Sequence, residues 1–151
     1  MSIATLVIHE EVLNQIVEHA RHAAPLEDCG YLGGPQDPAD AEGEAAASEV
    51  LFLPNIDASP EHFSFAPKDQ FAAIRTLRQK GLTPVAVWHS HPASPARPSA
   101  EDIRLAFDPN TVYVIVSLVG PVDIRAWHIE RNQGLVAEIS VRRVPAERKI
   151  P

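Results

Sequence analysis

The 151 residues, 45% of them hydrophobic, are enough for one substantial core and match the usual length of one domain. A formal net charge of −7 excludes the broad basic footprint of a nucleic-acid binder, and a single cysteine excludes an intramolecular disulfide framework. No apolar run approaches the roughly 18 residues of a membrane span, and residues 1–4 do not lead into a signal-peptide core, so a cytoplasmic location is the expectation. In chain order, residues 4–8 read as a strand. Residues 9–24 read as an amphipathic helix with Val12, Leu13, Ile16, Val17 and Ala20 on its apolar face, ended by Pro25. A second strand is expected over 31–33, followed by a mobile acidic loop over 34–47, where Ala, Asp, Glu, Gly and Pro accumulate. Residues 49–53 read as a strand, and 68–80 as a helix with Phe71, Ile74 and Leu77 in register and Gly81 closing it. Residues 85–90 form the next strand; 111–119, 123–130 and 136–144 supply three more, with turns at Gly120-Pro121 and Asn132-Gln133-Gly134, before a flexible tail over 145–151. With no internal repeat, the pattern predicts a single α/β domain over 1–151, built on a central mixed sheet flanked by helices.

The chemistry gathers around His89, Ser90, His91 and Pro92, followed by Ser99 and Asp102. On a strand, His89 and His91 project to one side while Trp88 and Ser90 project to the other, where Trp88 is expected to join the core. Pro92, Pro95 and Pro98 break the strand, and Ser99 opens a short helix whose first turn returns Asp102 toward the imidazoles. Ser99 and Asp102 also match a capping box, a role compatible with a chemical one. With seven histidines, a chance His-x-His arises about 0.3 times in such a chain, so the pair alone decides nothing. The conjunction with a proline-punctuated loop and an acid is what points to a metal. Two imidazole nitrogens and a carboxylate oxygen suit zinc, and three protein ligands leave a fourth position open for water.

His89-Ser90-His91-Pro92, ten residues, then Asp102 preceded by Pro98-Ser99, resembles the JAMM metalloprotease motif of MPN-domain proteins. The resemblance covers nearly the whole chain. Upstream, Pro25-Leu26-Glu27-Asp28-Cys29-Gly30 with Leu32 and Gly33 is similar to the segment carrying that family's catalytic glutamate. Leu53-Pro54-Asn55 and Phe63 through Pro67 resemble connecting signatures of its short bacterial and archaeal members. The resemblance implies a deaminase-like MPN fold and one Zn2+ per chain held by His89, His91 and Asp102. It further implies that Glu27 handles protons and that Ser99 assists the oxyanion. The implied reaction is hydrolysis of a peptide or isopeptide bond after the C-terminal Gly-Gly of a ubiquitin-like or sulfur-carrier protein.

Three other schemes compete with this reading. A non-catalytic MPN scaffold would bind partners with the same fold, although such members usually lose ligands that this sequence retains. A metal-dependent deaminase needs a later Pro-Cys-x-x-Cys, which a chain whose one cysteine is Cys29 does not have. A cysteine hydrolase would pair the Cys29 thiolate with His89 or His91. His62 is a candidate substrate contact, whereas His9, His19, His22 and His128 read as surface or packing residues.

Overall fold

The computed structural model describes residues 3–36 and 43–145. Among the described residues, eight strands and three α-helices follow one another as β1 (Thr5–His9), α1 (Glu10–Ala23), β2 (Cys29–Gly34), β3 (Glu44–Ala47), β4 (Glu49–Leu53), α2 (Pro67–Gln79), β5 (Thr83–His91), α3 (Ala100–Arg104), β6 (Val112–Ser117), β7 (Asp123–Glu130) and β8 (Leu135–Val144). The strands form one mixed sheet in the order β3-β1-β8-β7-β6-β5-β2-β4. Pairing is parallel at β1–β3, β1–β8 and β5–β6, and antiparallel elsewhere. The two edge strands are joined through the single residue Ser48, whose N–H donates to the Gly33 carbonyl, so the sheet curls around α1. The alternation of β5 and β6 explains the core inside that curl: Ala86, Trp88, Val114 and Val116 point at Leu13 and Ile16 of α1 together with Leu6, Ile8 and Leu32. Each large apolar side chain fully withdrawn from water there contributes about 1.5–3 kcal/mol. Gly30 of β2 is demanded by this packing, because a Cβ would lie 1.8 Å from the Leu51 carbonyl oxygen and 2.8 Å from Trp88 Nε1.

The opposite face of the sheet carries α2 and α3. Ala73 of α2 packs with Tyr31 and Leu53, while Ala96 and Ala106 near α3 pack with Ile115, Trp127 and Ile129. His89 and His91 emerge between these two clusters, at the C-terminal end of β5. Helix α2 ends as its sequence suggests: Gly81 takes φ +72°, its N–H donates to Arg78, and the Leu82 N–H reaches back to Leu77, a Schellman closure.

Two expectations need correction. Residues 44–47 are strand β3, parallel to β1, and Gly34 belongs to β2, so residues 34–47 are not one mobile loop. Ala45 and Ala47 are small enough to sit beneath α1, and the absent side chain of Gly34 lets the Ala46 carbonyl approach closely. Residues 37–42 of that segment, and 146–151 of the expected tail, lie outside the described residues. Phe71 is not on the buried face of α2 but 72% exposed. It stands six residues before Leu77, about 120° around the helix, and Ala73, one turn before Leu77, takes the buried position instead.

Candidate active site

Three side chains from two elements meet at one point. His89 Nε2 and His91 Nε2 are 3.0 Å apart, and Asp102 Oδ2 lies 3.2 Å from the first and 3.1 Å from the second. Strand period brings the histidines together, and a pinned loop brings the acid back. Within residues 92–98, the Ser94 carbonyl accepts from Ser117 Oγ (2.7 Å), Pro95 from His91 Nδ1 (2.7 Å) and Ala96 from Trp127 Nε1 (3.1 Å). The capping box then sets Asp102: its N–H donates to Ser99 Oγ at 3.0 Å, and its Oδ2 accepts from the Ser99 N–H at 2.9 Å. Ser99 therefore caps α3 as its sequence suggests, with its hydroxyl proton still free to donate.

Glu27 is carried to the same place by bonds remote in sequence. Its N–H donates to the Ser59 carbonyl (2.9 Å), and its carbonyl accepts from Asn55 Nδ2 (3.1 Å). The next residue is tied to the strand between the two histidines, because the Asp28 N–H donates to Ser90 Oγ (2.8 Å) and the Ser90 N–H donates to the Asp28 carbonyl (2.9 Å). His19 of α1, stacked on Phe52, holds Asp28 Oδ2 through Nδ1 at 2.5 Å. As a result Glu27, His89 and His91 are all buried and each offers a ligand-type atom within 4.8 Å of the others. Glu27 Oε1 is buried without any hydrogen-bond partner among the described residues. Sequence reasoning did not single out Asn55, Asp28 or Phe63, whose ring stacks on His89 at 4.6 Å. Asp28 did fall inside the segment quoted for the glutamate, and Asn55 and Phe63 inside the two connecting segments.

Burial pushes the Glu27 carboxyl up to about 8, with His91 pulling the other way and Asp102 adding to the rise. Burial also opposes ionisation of Asp102, but hydrogen bonds from His89 and His91 outweigh it and hold that carboxyl well below the usual range. His89 is drawn below the ordinary imidazole value by burial. His91 is pulled the same way by burial, yet its bonds to Asp102 and Pro95 leave it above that value. The His91 Nδ1–H donates to a carbonyl, which directs Nε2 at the triangle. Two imidazole nitrogens and an ionised oxygen this close repel unless something positive lies between them, either a proton or a metal cation. Tetrahedral zinc ligands at about 2.0–2.1 Å stand about 3.3 Å apart, within a few tenths of the separations here, so the donor set fits zinc.

The profile of the prokaryotic homologs of the JAB domain matches residues 9–130. The chain belongs to this JAB/MPN family. It is 33% identical over 130 residues, 85% of each chain, to the CysO-cysteine peptidase of Mycobacterium tuberculosis. With the desampylase of Haloferax volcanii it shares 28% identity over 131 residues, 84% of this chain and 91% of the relative. A solution structure of a protein from Desulfitobacterium hafniense superposes with a TM-score of 0.83 at 38% identity, covering 93% of this chain and 94% of that one. The expected α/β architecture and family therefore stand, and the protein is a JAMM-type peptidase. No described helix is long and apolar enough to cross a membrane.

The scheme with a cysteine nucleophile fails on its surroundings. Cys29 is fully buried, its Sγ donates to the Leu53 carbonyl, and burial first, then Asp28 and Glu27, pushes the thiol up to about 12. Replacing Cys29 by alanine is expected to leave peptidase activity within about twofold, and iodoacetamide to label the thiol only after denaturation. Rapid labelling of the native protein accompanied by inactivation would reverse that conclusion.

Proposed function

We propose that this protein hydrolyses the amide or isopeptide bond following the terminal Gly-Gly of a ubiquitin-like or sulfur-carrier protein, using one zinc ion held by His89, His91 and Asp102. The observation that carries the reading is the convergence of three ligand atoms within 3.2 Å beside a buried glutamate whose Oε1 has no hydrogen-bond partner among the described residues. The names of the relatives, CysO-cysteine peptidase and desampylase, support the substrate class. Zinc, when bound, would polarise the scissile carbonyl and acidify a water held beside it.

The remaining steps belong to the chain's own residues. Glu27 takes a proton from the attacking water, whose oxygen joins the carbonyl carbon, and gives a proton to the nitrogen as the C–N bond breaks. The products are a carboxylate-terminated carrier and a free amine. The Ser99 hydroxyl, whose oxygen already accepts from Asp102, keeps its proton to donate to the oxygen on which negative charge develops. Glu27 is placed for both transfers, because its Oε1 is buried beside the histidines and has no hydrogen-bond partner among the described residues.

The test is a panel of Gly-Gly-terminated carriers joined to different amines. Protein purified without chelator is expected to hold about one zinc per chain and to cleave members of the panel, to lose cleavage on chelation and to regain it with zinc. Metal-loaded protein that leaves the whole panel intact, or zinc below about 0.1 per chain after purification without chelator, removes the basis of the proposal.

A further inference from the structure

A cavity of about 30 Å³ opens directly beside the ligand triangle, bounded by His89 and Asp102 on one side and by Phe63, Leu105, Ile115 and Ile129 on the others. Its size admits about two water-sized groups, and although Glu101 and Asp102 contribute to the lining most of its wall is apolar, so it suits a compact carbon or sulfur side chain better than an anionic one. It continues outward: Phe63, Leu105 and Tyr113 also line an open groove of about 550 Å³.

At the cavity stands one imidazole held by its own polar scaffold. His62 Nδ1 donates to Asp57 Oδ2 at 3.0 Å, and Ser64 Oγ donates to the same oxygen at 2.7 Å. Because a carboxylate only accepts, the proton on this side of the ring resides on Nδ1, and Nε2 has no partner among the described residues. Hydrogen bonds from Ser64 and His62 keep the Asp57 carboxyl below its ordinary value, so the acceptor stays ionised. Asn55 fastens the arrangement to the catalytic segment. Its Nδ2 donates to the carbonyls of both His62 (3.0 Å) and Glu27 (3.1 Å), while its Oδ1 accepts from the N–H groups of Asp57 and Ser64. The imidazole and the Glu27 backbone thus share one amide as their common support.

We propose that this cavity receives the residue that supplies the scissile nitrogen, with His62 Nε2 hydrogen-bonding that residue's main chain, so that the cavity selects which amines are released. The inference rests on the reading that the acyl side ends in Gly-Gly, since glycine has no side chain to place in an apolar cavity and the occupant must come from the amine side. The rest of the amine-bearing partner follows into the groove.

The experiment uses two substrate sets on zinc-loaded full-length protein. One keeps a single carrier ending in Gly-Gly and varies the amine from methylamine through glycine, alanine, cysteine and leucine amides. The other keeps the amine and alters the last two acyl residues. Leu105→Trp, at a partly exposed position, is expected to shift the preference between large and small amines by about tenfold or more, leaving acyl preference as in wild type. His62→Ala is expected to raise KM by about tenfold for amino-acid amides but not for methylamine, with His62→Gln recovering part of the loss. A merely structural histidine would lower all substrates together. Variants that change acyl preference, or that change neither preference, overturn the proposal. Wild type that cleaves neither set overturns the diglycine reading itself and the proposal with it, a result distinct from unaltered selectivity in active variants.

Discussion

Glu27→Gln lowers hydrolysis by at least about a thousandfold while zinc stays at about one per chain, because glutamine keeps the shape of the side chain and loses only its capacity to carry a proton. Three features make the effect this large. The carboxyl is buried, its Oε1 has no partner among the described residues to share the work, and Asp102, the carboxylate in contact with His89 and His91, is committed to them. The intact site should then hold an uncleaved conjugate long enough to be recovered with the variant by size exclusion. Activity within tenfold of wild type would move the proton carrier elsewhere.

The same substitution carries a stability signature in metal-free protein. The folded Glu27 carboxyl titrates near 8 against an ordinary 4.5, so between those values the native state holds a proton that the unfolded chain has released. Stability therefore falls as pH rises from about 4.5 to about 8 and levels off above, at a total cost on the order of a few kcal/mol. Glutamine has no such titration. The thermal midpoint of metal-free Glu27→Gln should accordingly gain on metal-free wild type across that interval, and the gain should shrink when zinc is added, since a nearby cation favours the ionised carboxylate. Parallel melting curves from pH 4.5 to 8 would contradict the burial that the fold imposes on this group.

The pairing of His89 with His91 was legible because it depends only on the two-residue period of a strand, and α1 because its apolar stripe recurs at helical spacing. Asp102 was legible for a similar reason, since Ser99 and Asp102 at cap spacing already fold the first turn of α3 back on itself. The route by which Glu27 arrives was not. It runs through Asn55, Ser59 and Ser90, which lie 28 to 63 residues further along the chain, and no local pattern announces bonds of that span. Strand β3 escaped notice for another reason: Glu-Ala-Ala-Ala has little intrinsic preference for a strand and becomes one because small side chains fit beneath α1 beside β1. Phe71 misled through its bulk, as the face of α2 that meets the sheet is chosen by Ala73 and Leu77.

Asp102→Ala is expected to remove more than its share, because one oxygen serves three groups. Oδ2 accepts from the Ser99 N–H and lies against both imidazole Nε2 atoms. Loss of the cap costs about 0.5–2 kcal/mol of stability in the short helix α3. Loss of the ligand should weaken zinc binding by more than about 100-fold, beyond what removing an outer hydrogen-bond partner does, and abolish hydrolysis with it. Asp102→Asn separates the two functions: the amide oxygen can still accept from Ser99, so thermal stability without metal should recover toward wild type, whereas the neutral group no longer offsets the cation and zinc affinity stays low. In metal-free wild type the folded Asp102 titrates below the ordinary 3.8, so its contribution is present above that value and lost as pH falls through the depressed one, and neither variant has it. Competition with a fluorescent zinc chelator and melting curves on the same samples measure both quantities. If Asp102→Ala kept zinc as tightly as wild type, the metal would have to rest on Glu27, His89 and His91 instead, the other grouping the fold permits, and Glu27 could not then be the proton carrier.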